Sequence, residues 1–159
     1  MTGMDVAARN HRPARGHPAF GWPGLRRRVQ AARIARILLP GASAAGGFVS
    51  TELTVALPEG TVGRPDVAVV CQEPPGNGLV ARAPELVVLI DHGGADERRA
   101  QGWLAMGVPV IWHLAGGALF ERTPGLARRW MRGQVLRVAG APTVTAAVED
   151  LLDATMAQR

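Results

Sequence analysis

Two uninterrupted apolar runs, Val67-Ala68-Val69-Val70-Cys71 and Leu86-Val87-Val88-Leu89-Ile90, stand out from a chain that elsewhere mixes apolar and polar positions. A half-exposed strand would alternate, so runs without alternation predict strands covered on both faces. Pro109 to Leu114 reads as the next strand, and Phe48 to Leu57 has strand composition with partial alternation. Helical spacing occurs over Gly24 to Leu39, where Leu25, Val29, Ala32, Ile34, Ile37 and Leu38 form an approximate stripe among arginines, until Pro40-Gly41 stops it. Ala95 to Met106 is a second helical segment, with Asp96 and Glu97 at its positive N-terminal end and Gly107 as its stop. Thr143 to Met156 reads as a closing helix. Residues 117–138 supply one or two further strands around Thr123-Pro124-Gly125 and Arg132-Gly133, and Gln72 to Arg82 reads as an exposed loop. This order predicts a layered α/β domain over residues 23–156, preceded by an irregular or flexible leader at residues 1–22 that is dense in Gly and Pro.

Composition narrows the chemistry. The chain has 159 residues and is 47% hydrophobic, enough to bury one substantial core. Its net charge of +5 favours contact with phosphates or another acidic surface. All 18 basic residues are Arg. Without Lys, no ammonium can stabilise a hydroxide or accept a proton, and guanidinium is too weak a base to replace it in that role. Cys71 is the only cysteine, which rules out an intrachain disulfide and a cysteine-rich zinc site and fits a reducing cytosol. No continuous apolar signal core follows Arg9, Arg12 and Arg15, and no segment has the roughly 20 apolar residues of a membrane helix, so a cytoplasmic location is expected.

Candidate chemistry gathers at the strand ends. Asp66, in Arg64-Pro65-Asp66, precedes the first apolar run, and Asp91, in Asp91-His92-Gly93-Gly94, follows the second. A buried carboxylate is costly unless it is paired, hydrogen-bonded or metal-bound, which makes these two aspartates candidate ligands of one cation.

The chain from Gly63 to about Leu152 resembles the Uma-type restriction-endonuclease family of the PD-(D/E)xK nuclease superfamily. Carrying the resemblance, in order, are Arg64-Pro65-Asp66-Val67-Ala68-Val69-Val70, Pro84-Glu85-Leu86-Val87-Val88 and Gly107-Val108-Pro109-Val110-Ile111-Trp112. It implies a restriction-endonuclease-like fold: a mixed central β-sheet flanked by α-helices. It also implies an Mg²⁺- or Mn²⁺-dependent phosphodiester hydrolase in which Asp66 holds the metal. The family's second acid falls on Leu89, which cannot bind a cation. Asp91 lies two residues on and would face the same side from about 7 Å away, as a migrated ligand. The family's downstream Lys and Tyr fall on Arg99 and Trp103. The N-terminal segment that often supplies another glutamate has no clear counterpart, with Glu52 as the nearest candidate.

The expected site is therefore Asp66 and Asp91 as metal ligands and catalytic carboxylates, with Arg99 offsetting charge and Arg98 and Arg99 on a phosphate. Each has a plainer alternative. Asp66 could cap backbone amides after Pro65, Asp91 could belong to a turn, and any single Arg could be solvated surface. Arg26 to Arg28, Arg128, Arg129 and Arg132 could track a nucleic-acid backbone, and His92 could bind a cation or sit in solvent. His113 reads as the end of a strand, Trp112 as core, and Trp103 and Trp130 as core or partner packing rather than base stacking. Three functions stay open: a restriction-endonuclease-like domain impaired or inactive in catalysis, an active Mg²⁺/Mn²⁺ endonuclease using the migrated carboxylate, and a non-catalytic nucleic-acid-binding or oligomerisation module. DNA is the expected partner, no membrane is involved, and a homodimer follows by analogy with the family.

Overall fold

The computed structural model describes residues 24–58, 60–75, 79–90 and 96–156, so the expected leader, Asp91 and His92 lie outside the described residues. The described chain forms α1 (Leu25–Ala44), β1 (Phe48–Ser50), β2 (Thr54–Ala56), β3 (Val62–Gly63) and β4 (Val67–Val70). It continues through β5 (Leu79–Val80), β6 (Leu86–Ile90), α2 (Asp96–Ala105), β7 (Ile111–Ala115), β8 (Ala118–Thr123) and β9 (Leu126–Trp130). The hairpin β10 (Val135–Val138) and β11 (Ala141–Ala147) then leads into α3 (Val148–Thr155).

A six-stranded mixed sheet in the order β1-β4-β6-β7-β8-β9 forms the centre, with β6 and β7 parallel and the other neighbours antiparallel. The two apolar runs account for the burial. In β4 and β6, Val67, Val69, Leu86, Val88 and Ile90 face a core shared with α1, α3 and the β10–β11 hairpin. Ala68, Val70, Val87 and Leu89 face a second core with Ala100 and Trp103 of α2 and with Leu53 and Val55. Period-2 alternation thus feeds two cores, as the lack of polar residues predicted. No helix among the described residues is long and apolar enough to cross a membrane.

Several elements differ from expectation for identifiable reasons. Residues 48–57 split into β1 and β2, which pair in different sheets, and β5 adds a short strand to the segment read as a loop. Residues 117–138 hold three strands, not one or two. Residues 143–147 belong to β11, because they are rich in β-branched residues and Thr145, Ala146 and Ala147 pair with Arg137, Leu136 and Val135 of β10; α3 begins only at Val148. His113 sits within β7, 7% exposed, rather than at its end.

The first helix does not stop at Pro40. It runs on to Ala44, since Ala42 is fully buried and packing outweighs the one backbone bond that proline forfeits. Close approach is possible there because residue 41 is Gly. A methyl added at Gly41 would lie 2.3 Å from the Thr143 carbonyl oxygen and 2.9 Å from Val144 Cα, both backbone. Gly41→Ala should therefore cost about 1–3 kcal/mol despite alanine's better helix propensity, read as a lowered midpoint in urea unfolding.

At the other end of this layer, Glu149 caps a turn. Its carboxylate accepts its own backbone N–H and that of Gly133 at 2.9 Å, and these bonds hold it below the usual glutamate range. A lowered folded-state value contributes stability above the ordinary glutamate range, and that stability is lost as the pH falls through it. Glu149→Gln should accordingly lower stability near neutrality and flatten the acid limb of a stability-against-pH curve, the two proteins converging at low pH where the glutamate is protonated.

Candidate functional site

Asp66 enters the sheet beside Val88, its N–H bonding the Val88 carbonyl at 3.1 Å. It lies one residue before β4, at the end of the sheet where β6 finishes and where α1 and α2, on opposite faces, converge. The residue is 6% exposed. Its carboxylate is held on every side the described residues provide. Arg27 of α1 makes a two-pronged contact, Nε to Oδ1 and Nη2 to Oδ2 at 2.7 Å. The Ile90 N–H donates to Oδ2 at 2.9 Å, extending the β4–β6 ladder through a side chain. Arg99 of α2 brings Nη2 to 4.0 Å from Oδ2 while donating to the Arg64 carbonyl at 3.2 Å.

Arg27 is the residue that the sequence reading missed. It was read as one of the arginines lying between the apolar positions, yet the buried face of α1 runs Ala31, Ile34, Leu38 and Ala42, and Arg27 continues that stripe one turn earlier. Leu25 and Val29, assigned to the stripe, are exposed at 79% and 43%. A charged residue in register with a core-facing stripe signals a buried partner, and that signal was available in the 27-31-34-38-42 spacing. The planar guanidinium fork matches a carboxylate edge and supplies the positive charge that a buried aspartate requires.

Other expected site residues fall elsewhere. Leu89, at the position of the family's second acid, is fully buried in the second core and offers no donor. Asp91 lies outside the described residues. Glu52 is 73% exposed in its side chain and pairs with Arg28 at 3.5 Å, away from Asp66. Arg98 is exposed on α2, whereas Arg99 reaches the carboxylate. Trp103 is 2% exposed and packs in the second core rather than lying open to a base. Trp130 carries Arg128 over its ring at 4.2 Å and packs against the first core.

Hydrolytic metal sites gather several oxygens around one ion. Among the described residues the buried Asp66 carboxylate faces a guanidinium and the neighbouring strand position is a leucine, while Asp91, the other expected ligand, lies outside them. Among the described residues, no three His, Cys, Asp or Glu side chains are grouped to hold a metal.

A concavity of about 260 Å³ is bordered by Cys71, Arg82 and Glu85. Glu85 accepts the Cys71 backbone N–H at 2.9 Å, and its hydrogen bond with the thiol, more than burial or its charge, pushes the thiol up. Cys71 thus stays protonated near neutrality and is a weak nucleophile.

No protein-family model matches this chain, and no curated protein matches it. Among solved structures it is similar to a protein from Anabaena variabilis ATCC 29413, described as a "putative nuclease belonging to DUF820". The likeness has a TM-score of 0.69, with 14% sequence identity, and covers 84% of each chain. At that identity the likeness establishes the fold: a mixed central sheet flanked by helices, of the restriction-endonuclease-like kind.

Proposed function

We propose that this chain is a restriction-endonuclease-like domain in which phosphodiester hydrolysis has been lost. The observation that carries this reading is the Asp66 carboxylate, taken up by the Arg27 fork and the Ile90 N–H where a catalytic cation would otherwise sit. A cation does two things in such a reaction: it lowers the pKa of the attacking water and stabilises the charge developing on phosphorus. A guanidinium can offset charge on a phosphate, but it offers no vacant orbital for water and no lone pair for a proton. Leu89 supplies neither ligand nor base, and Arg99 in place of a lysine cannot act as a proton acceptor.

The reading is tested by incubating the full chain with supercoiled and linear DNA and with RNA, in Mg²⁺ and in Mn²⁺. The expected result is no nicking or cleavage above that of Asp66→Ala. Metal-dependent cleavage by the unaltered protein, abolished in Asp66→Ala, would instead establish the active endonuclease with Asp91 as the migrated ligand.

A further inference from the structure

Strand β9 closes one side of the six-stranded sheet, and the proposed loss of hydrolysis gives it no task. Among the described residues only β8 pairs with it, and Leu126, Ala127, Arg128 and Arg129 are all exposed. The Pro124-Gly125 turn fixes which backbone groups of β9 face outward. Gly125 takes φ +83°, and the two-residue turn makes Thr123 and Leu126 a hydrogen-bonded pair. Hydrogen-bonded and non-hydrogen-bonded pairs alternate along an antiparallel ladder. Arg128 opposite Glu121 and Trp130 opposite Leu119 are then the next bonded pairs, so Ala127 and Arg129 turn their N–H and C=O groups away from β8. No backbone bond among the described residues meets that side.

The same edge is basic. Strand β9 carries Arg128 and Arg129 and no acid, and neither enters an ion pair among the described residues. Side chains alternate along a strand, so Arg128 shares one face with Leu126 and Trp130 while Arg129 lies on the other. Arg128 is held over the Trp130 ring at 4.2 Å, which positions one cation before any ligand arrives. The edge thus offers two outward donors, two outward acceptors and a guanidinium on each face of the sheet.

We propose that β9 accepts an added antiparallel strand from an acidic segment of another protein, with two consecutive carboxylate side chains opposite Arg129 and Arg128. Neighbouring residues of an added strand project to opposite faces, so two consecutive acids meet one arginine each. The outward N–H and C=O groups select a polypeptide, because a nucleic-acid backbone offers phosphates to the arginines but no amides to complete the ladder. A second copy of this chain is opposed by charge, since it would set Arg128 and Arg129 against their own copies. Charge also opposes the chain's own residues 1–23, which carry Arg9, Arg12 and Arg15 with Asp5 as their one acid.

The test titrates the isotope-labelled full chain with a blocked peptide of about seven residues, enough to span β9, and follows backbone amide shifts by NMR. The peptide holds two adjacent glutamates flanked by valine and threonine. With peptide up to about 1 mM, saturable shifts are expected at Ala127 and Arg129, weakening as salt is raised. Methylating the peptide nitrogens opposite Ala127 and Arg129 leaves its charge intact and should abolish binding. Arg128→Glu with Arg129→Glu should weaken binding at least about tenfold. A peptide with arginine in place of both glutamates should regain it, which also shows that the variant is folded. Ala127→Pro removes one outward N–H and no bond to β8, and should weaken binding as well. Absence of saturable shifts at those two amides, or undiminished binding by the methylated peptide or by either variant, would overturn the proposal. So would a single-stranded DNA oligonucleotide that shifts the same amides and displaces the peptide, which would assign the edge to nucleic acid.

Discussion

Replacing Arg27 with alanine should destabilise the protein by about 3 kcal/mol, lowering Tm by roughly 6–12 °C for a chain of this size. The loss comes less from the contact itself than from what remains: an aspartate side chain 4% exposed, left with Arg99 at 4.0 Å as a cationic neighbour. Breaking a buried pair from one side costs roughly 3–5 kcal/mol, and the lower end applies because the Arg27 side chain keeps 21% of its surface. The double variant Arg27→Met with Asp66→Leu removes both charges and fills the space with apolar groups. It should lose less than Arg27→Ala alone, since no buried carboxylate is stranded and Arg99, 31% exposed, keeps its bond to the Arg64 carbonyl. Thermal unfolding of the three proteins checks this. Equal stability of Arg27→Ala and the unaltered chain would show that Asp66 does not depend on the guanidinium.

Trp112→Ala should be as damaging or worse, at about 3–5 kcal/mol. Trp112 is fully buried in β7, between β6 and β8, and is the largest of the completely buried side chains among the described residues. Removing it leaves a void that the two flanking strands cannot close, because their registers to Val88 and Glu121 are fixed by the ladders. Its indole N–H also donates to Glu121 at 3.3 Å, and truncation removes that donor from a part-buried carboxylate. Trp112→Phe keeps most of the volume and should cost clearly less, so the difference between the two variants in urea unfolding separates cavity from hydrogen bond.

Much of the fold is legible in the residues, since the signals that place it are strong and local. Continuous apolar runs located β4 and β6 and required coverage on both faces, which the two cores supply. The Gly107 stop of α2 was readable because that residue takes φ +94°, a conformation glycine adopts without strain. What local pattern misread depended on distant partners. Pro40 remains inside α1 because the buried Ala42 holds the last turn, and residues 143–147 are strand because β10 lies beside them. Neither fact is encoded nearby in the chain.

The site was half legible. Pro65-Asp66 before an apolar strand pointed to a buried carboxylate, and the structure buries it. A cation with Asp91 beside it was expected there, and Arg27, 39 residues earlier, whose guanidinium pairs with Asp66, was not foreseen; Asp91 lies outside the described residues. The three consecutive arginines at 26–28 look alike in sequence, yet each occupies a different side of α1. Arg26 is exposed, Arg27 reaches Asp66, and Arg28 reaches Glu52. Helical phase distinguishes them, and it can be read only once the true buried stripe is known.

The proposed loss of hydrolysis requires that the Arg27 guanidinium, and not a bound cation, neutralise Asp66. Titration calorimetry with Mn²⁺ on the unaltered protein and on Asp66→Ala tests it without assuming a substrate. No saturable heat that distinguishes the two proteins is expected. Stoichiometric Mn²⁺ binding to the unaltered chain, lost in Asp66→Ala, would contradict it.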